Sequence, residues 1–339
     1  MDQQDQTKSP TVEGEAGKAL PLSSGAPPLT APTPPQHPIH SVFIGPDGLR
    51  SGWRFLAFVA LWGFWLYILG HLIHLLFPHE PPNGVWRDTF DEMQRLLAVA
   101  IATVTMMLAE KRVWGSYGLP LRSAFGKNFW IGAIWGFIAL CVLMLSIGAT
   151  GDFTMAGLAL HGLRIWKFAA FWAAFFLLVG LFEEFLFRGY PQFTLAKGIG
   201  FWPAAIVLSI LFGGVHLGND QESWVGVLGA AVIGLFFCLT LRRTGTLWFA
   251  VGFHASWDWG ESYFYSIADS GEISPGHLLK TSLHGSRWIT GGSVGPEGSI
   301  LAFVVVALTW IAFQYAYPPI AYDGNGAVPV PGPTQPYHE

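Results

Sequence analysis

Eight stretches of this chain are apolar for long enough to cross a lipid bilayer, and that limits its fold more than any other feature. A spanning helix needs roughly 20 mostly apolar residues. The stretches lie at about 53–77, 93–109, 129–149, 166–187, 201–217, 224–241, 246–267 and 299–317. The second, "RLLAVAIATVTMMLAE", is short. Backbone groups inside hydrocarbon must bond within their own segment, which selects helices here. The expected fold class is therefore an all-α polytopic membrane protein of about eight transmembrane helices, with any site inside the bundle. Composition agrees: 52 % of the 339 residues are hydrophobic and 12 % charged, against about 25 % charged in soluble domains. A net charge of −4 gives no reason to expect a nucleic-acid partner. Cys141 and Cys238 both lie in apolar runs and read as small buried residues, not as a disulfide or a metal pair.

Residues 1–40 are rich in Pro, Gly, Ser and Gln, and are expected to be a disordered cytoplasmic tail. They lack the apolar core of a cleavable signal peptide, so the first helix is expected to stay as an anchor. Residues 41–318 form the eight-helix membrane domain, with a Gly- and Ser-rich extracytoplasmic loop at 268–298. Residues 319–339 read as a flexible cytoplasmic tail. Lys and Arg gather on the cytoplasmic side of membrane proteins. With the amino terminus inside, the inner segments collect Lys8, Lys18, Arg50, Arg54, Lys111, Arg112, Arg122, Lys127, Arg188, Lys197, Arg242 and Arg243. The outer segments hold Arg87, Arg95, Arg164, Lys167, Lys280 and Arg287. Both termini are therefore expected in the cytoplasm.

A charge at the bilayer centre costs about 2.5–3.5 kcal/mol on insertion scales, so intramembrane polar groups need a reason. Three clusters stand out: Glu183, Glu184 and Arg188 in the fourth span, His216 in the fifth, and His254 with Asp258 in the seventh. Glu184 and Arg188 are i,i+4 neighbours and can pair on one face. Glu183 is rotated about 100° away and lacks that partner. Glu183 precedes the turn near Ile199–Gly200 by about as many residues as His216 follows it, so antiparallel helices bring both to similar depth. His254 and Asp258, one turn apart, share a face. Structural readings compete: a lone His can be a helix contact, Asp258 can orient His254, and Glu184–Arg188 can lock helices together. A spare carboxylate, two His and an acid at matched depth favour an active or ion site. His71 and His74, at i,i+3, read as interfacial rather than as haem ligands. His277 and His284 in the outer loop read as solvated, and the tryptophans near span ends as an interfacial belt.

No HExxH is present, which excludes a standard zincin helix. The spans contain no paired ExxH motifs for a di-iron bundle. Two mechanisms stay open. In one, Glu183 is the general base on a water that His216 also holds, and His254 stabilises the oxyanion of an attacked amide. In the other, Glu183, His216, His254 and Asp258 hold a divalent metal such as zinc that activates the water. No cofactor is certain.

"EEFLFR", "FGGVH" and "HASWD" match EExxxR, FxxxH and HxxxN/D in order and on successive apolar spans. With these motifs the chain resembles the CPBP superfamily, the CAAX-processing and bacteriocin-processing intramembrane endopeptidases, in a bacterial-type form. The likeness is strongest over 160–260 and extends to "SYGLP" at 116–120. It implies an eight-helix protease domain whose cavity opens toward the cytoplasm, in a bacterial inner membrane. It implies that Glu183 and His216 activate water, that His254 and residue 258 stabilise the oxyanion, and that Glu184, Arg188 and Phe212 support them. The resemblance leaves metal dependence open. The eukaryotic-type members carry Asn at the last motif position, where this chain has Asp258. A carboxylate donates no hydrogen bond unless protonated, so cleavage of prenylated CAAX substrates does not follow. The partners implied are a peptide or membrane-protein substrate and the lipid bilayer; the sequence does not reveal an oligomeric state. The competing classes are a transporter and a partner-binding pseudoenzyme. No convincing repeat between the halves supports the transporter.

Overall fold

The computed structural model describes residues 42–46, 48–76, 84–113, 115–219 and 221–319. The tails expected at 1–40 and 319–339 lie outside these residues, apart from Pro319. A small hairpin, β1 (Ile44–Gly45) and β2 (Gly48–Leu49), leads into α1 (Ser51–Leu76). Then follow α2 (Val85–Ala109), α3 (Lys127–Ala149), β3 (Phe153–Leu158), α4 (Leu163–Arg188), α5 (Tyr190–Ile199) and α6 (Phe201–His216). Next come α7 (Trp224–Thr244) and α8 (Trp248–Trp259), which widens into a π-turn over Gly260–Tyr265. The chain closes with β4 (Leu279–Leu283), α9 (Arg287–Thr290) and α10 (Ile300–Ala316). The protein is an all-α polytopic membrane protein, and a helix stands at each of the eight expected spans. Among the described residues, five segments are long and apolar enough to cross a membrane unaided: α1, α2, α3, α4 with α5, and α7.

Three local features depart from the sequence reading. The second helix starts at Val85, two turns before the apolar run, and takes in Asp88, Asp91 and Glu92. Asp88 in its first turn complements the positive helix end, so charge there extends the helix instead of ending it. The fourth span breaks at Gly189, and α5 begins with Pro191 in its first turn, where a missing N–H costs nothing. The 268–298 segment is not a plain loop. Its β4 pairs antiparallel with β3, from Phe153↔Leu283 to Leu158↔Leu279, across a bulge.

Contacts fix the direction of each helix. Arg54 lies 3.9 Å from Glu110, and Gln94 donates to the Leu66 carbonyl, so α1 and α2 are antiparallel. Trp86 meets Phe171 and Tyr190 meets Glu110, so α2 runs parallel to α4. The Trp259 indole donates to the Ala169 carbonyl, making α4 antiparallel to α8. One end of the bundle therefore gathers the start of α1, the end of α10 and the α2–α3 connection. There Glu110 accepts from Tyr117 Oη (3.0 Å) and Tyr190 Oη (2.5 Å), and the Trp248 indole donates to the Pro120 carbonyl (3.1 Å). The "SYGLP" segment is thus the plug of this end.

The parallel α3 and α8 approach to backbone contact through Gly132, Gly136 and Gly252, where a Cβ would strike the carbonyl oxygens of Phe249, Phe253 and Phe129. Small residues at such crossings are what membrane helices need to pack closely. Gly252→Val is expected to cost about 1–3 kcal/mol by forcing the backbones apart. Gly63→Ala, with nothing within 4 Å, is expected to stay within about 0.5 kcal/mol. Thermal unfolding of both variants in detergent checks this.

Candidate active site

Gly180 lets α4 cross α8 closely: a Cβ there would sit 3.3 Å from the Val251 carbonyl and 3.6 Å from the His254 Cβ. The crossing sets His254 against the end of α4. Its Nδ1 lies 3.1 Å from Glu184 Oε1, and its Nε2 lies 3.6 Å from Glu183 Oε2 and 3.4 Å from Asp258 Oδ2. Glu184 and Arg188 are both fully buried and pair at 3.1 Å, as i,i+4 spacing predicts. Arg188 also places its guanidinium 4.2 Å over the Phe212 ring. Gly234 leaves the room this needs, since a Cβ there would collide with Arg188 Nη2.

The contacts of Glu184 reach beyond its own helix. The same oxygen, Oε1, meets both Arg188 and His254, so Glu184 positions a motif histidine as well as pairing within its helix. Intrahelical spacing could not reveal this, because the second contact comes from a helix 70 residues away. Glu183 is not isolated either: it faces His254, and its side chain is 23 % exposed to the cavity.

Glu183, His216, His254 and Asp258 all line one cavity of about 310 Å³. His216 Nδ1 donates to the Phe212 carbonyl at 2.7 Å, because a carbonyl only accepts. In the neutral ring this leaves Nε2 as an acceptor. The Phe212 ring packs edge-on against His216 (4.8 Å) and His254 (6.4 Å), joining the fifth and seventh spans. His254 has carboxylates at both nitrogens. A neutral imidazole carries one N–H, so satisfying both sides takes a second proton on the ring or on a facing carboxyl.

The sequence reading missed other polar groups in the cavity wall. Glu92 and Arg95, an ion pair on α2, belong to it, as do Asp269 and Glu297 from the segment after α8. Only the early start of α2 brings Glu92 in. Glu222 and Glu297, outside the spanning helices, sit near enough to His216 to feel its charge. Burial pushes both carboxyls above the usual range, and a protonated His216 would oppose that shift. His277 and His284 bond locally, to the Ser274 carbonyl and to Thr154 and Ser282, and take no part. His71 packs against the Tyr67 ring at a tilt.

A divalent metal fits this constellation poorly. Among the described residues, the trio whose ligand atoms converge to within 4.8 Å is Glu261, Asp269 and Glu297. Glu183, His216, His254 and Asp258 yield no such trio, although two of them meet at His254 Nε2.

The cavity runs from Glu183 toward the starts of α2, α7 and α10 and the end of α6, where Asp88, Asn219 and Glu272 rim it. That end is opposite to the one holding the start of α1 and the end of α10. Two expectations, a cavity facing the cytoplasm and both termini in the cytoplasm, are therefore incompatible.

Residues 165–260 match the family model described as type II CAAX prenyl endopeptidase Rce1-like. No curated protein matches the chain, and no solved structure does. The matched span holds Glu183, Glu184, Arg188, Phe212, His216, His254 and Asp258.

Arg188→Met would leave the Glu184 carboxylate buried without its countercharge. The expected loss is about 3–5 kcal/mol, read by chemical or thermal unfolding in detergent.

Proposed function

We propose, for a chain that belongs to the CPBP superfamily of CAAX-processing and bacteriocin-processing membrane endopeptidases through residues 165–260, that it hydrolyses a peptide bond within the membrane with Glu183 as general base. The carrying observation is that Glu183, His216 and His254 face one cavity, with His254 gripped from both nitrogens. A water between Glu183 and His216 Nε2 meets two acceptors, so it donates both protons and turns a lone pair toward the scissile carbonyl. Glu183 takes one proton as the oxygen attacks.

His254 supports the oxyanion. Nδ1–H is anchored on Glu184 at 3.1 Å, whereas the Nε2 contacts, 3.6 Å and 3.4 Å, are long for hydrogen bonds. The Nε2 proton is thus free to turn to the negative oxygen as it forms. Asp258 Oδ2, 3.4 Å from Nε2, faces that proton, which gives the carboxylate a role where eukaryotic-type members carry Asn. No step passes through a metal.

The matched description names a CAAX prenyl endopeptidase. For this chain, the apolar walls from Trp172, Phe175, Phe176, Val179, Ile233 and Val306 favour a substrate with an apolar group beside the scissile bond. Glu183→Gln is expected to lower peptide cleavage in proteoliposomes by at least about a hundredfold with folding intact. Prenylated and unprenylated peptides serve as parallel substrates. Retained cleavage would remove the base assignment, and a phenotype without any cleavage would favour a partner-binding protein.

The side of the membrane follows from charge. The end holding the start of α1 carries Arg50, Arg54, Lys111, Arg112, Arg122, Lys127, Lys197, Arg242 and Arg243. The cavity end carries Arg87, Arg164, Lys167, Lys280 and Arg287. This bias favours a mouth away from the cytoplasm, against the orientation implied by the family resemblance. In a variant lacking Cys141 and Cys238, Gln221→Cys is expected to react with a membrane-impermeant thiol reagent in intact cells. Protection until lysis would reverse the orientation.

A further inference from the structure

Beyond the motif residues, a second acidic group lies beside the cavity. Glu261 in the π-turn, Asp269 in the following segment and Glu297 just before α10 bring carboxylate oxygens within 4.8 Å of one another. They are distant in sequence, and the backbone is built to hold them together. Gly271 N–H donates to the Val294 carbonyl at 2.8 Å, and Gly295, at φ +119°, passes so close to the Ala268 carbonyl that a Cβ would collide with it.

Two of the acids have local partners. Asp269 accepts from Ser262 Oγ (3.2 Å), and Glu297 Oε1 accepts from the Ser270 N–H (2.6 Å) and Oγ (3.0 Å). Glu261 differs. It is fully buried, and neither of its carboxylate oxygens has a hydrogen-bond partner. The Trp257 indole faces it without reaching hydrogen-bond geometry. Among the described residues, none of the three acids pairs with a Lys or Arg at ion-pair distance. Glu184 is buried too, but it has Arg188 and His254. A buried carboxylate without donor or countercharge is expensive, so something positive belongs in the trio.

We propose that Glu261, Asp269 and Glu297 bind a divalent, oxygen-preferring cation of the calcium class, which clasps the segment after α8 against the cavity wall. The donors are all oxygen, with no thiolate or imidazole, which selects hard cations over zinc or copper. Ligand atoms no more than 4.8 Å apart are within reach of one calcium-sized ion, whose bonds of about 2.4 Å set opposite ligands about that far apart. Hydroxyls of Ser262 and Ser270 stand next to the carboxylates as further oxygen donors. Asp269 and Glu297 also line the catalytic cavity, so the ion would brace its wall without touching the reacting groups. The proposal does not depend on the proteolytic reading.

The test uses the full chain in detergent, stripped with a chelator and titrated with terbium, whose emission Trp257 is placed to sensitise, and then with calcium. Saturable terbium emission displaced by calcium, with a calcium-dependent rise in Tm, is expected. Glu261→Gln removes a mutual repulsion and is expected to fold, yet to bind at least about tenfold more weakly. Asp269→Asn is expected to weaken binding likewise and serves if the first variant does not fold. Glu183→Gln is expected to bind as the unmodified chain does. Absence of saturable terbium emission and of any calcium effect on Tm would overturn the site in favour of protons shared among the three acids. So would unchanged binding in Glu261→Gln and Asp269→Asn, or binding lost in Glu183→Gln, which would move the ion to the motif residues.

Discussion

One carboxylate oxygen, Glu184 Oε1, holds the site together. It meets Arg188 within its own helix and His254 across the α4–α8 crossing, and both Glu184 and Arg188 are fully buried. Desolvating such a pair costs several kcal/mol per ion, and Coulomb attraction repays it only when the geometry is good. The surroundings supply that geometry: Gly234 clears space for the guanidinium, the Phe212 ring lies under it, and Gly180 lets the helices close. The pair is better understood as setting register than as adding stability. A slip of one residue along either helix would take His254 away from Glu184 while the intrahelical pair stayed behind.

The spans were legible because hydrocarbon allows few ways to satisfy a backbone, and apolar length alone locates them. The motif residues were legible because helical spacing sorts Glu183 from Glu184 and because equal counts from one turn match depths. What depends on contact between distant segments was not. Glu184 touches His254 through a crossing that no local pattern records. Glu92 stayed hidden because charged residues were read as lying outside the second span. The β3–β4 ribbon joins two short segments, of six and five residues, that lie far apart in the chain and pair only in the fold. The position of the cavity's mouth was hidden for a related reason: only contacts between helices fix their directions, and these put the mouth at the end away from the start of α1 and the end of α10.

The depth of the site and the position of its mouth are separate matters. His254 stands only six residues into α8, about 9 Å from its start, so the motif groups lie near the plugged end. The Glu110–Tyr117–Tyr190 network and the Trp248–Pro120 bond seal that end below them. The cavity therefore has a polar floor and a rim on the far side, with aromatic and aliphatic walls between. From the mouth inward, the lining passes from the polar rim of Asp88, Asn219 and Glu272 to aromatic and aliphatic walls that also hold Glu92 and Arg95, and ends on Glu183 and the two histidines.

α8 links the two acidic groups. His254, Asp258 and Glu261 recur at i, i+4 and i+7, one stripe of a regular helix, yet their surroundings diverge. The first two face the cavity and its other titratable groups; Glu261 lies in the π-turn, buried behind the wall, while its neighbour Ser262 faces the cavity. π-turns of this kind concentrate at functional sites, where the extra residue re-aims side chains. Here the widened turn separates a carboxylate set balanced by Arg188 and His254 from one that no Lys or Arg among the described residues pairs with. A proton or a cation must complete the second set. Only a cation would tie Glu261, Asp269 and Glu297 to one point, and with them the segment that forms the cavity's far wall.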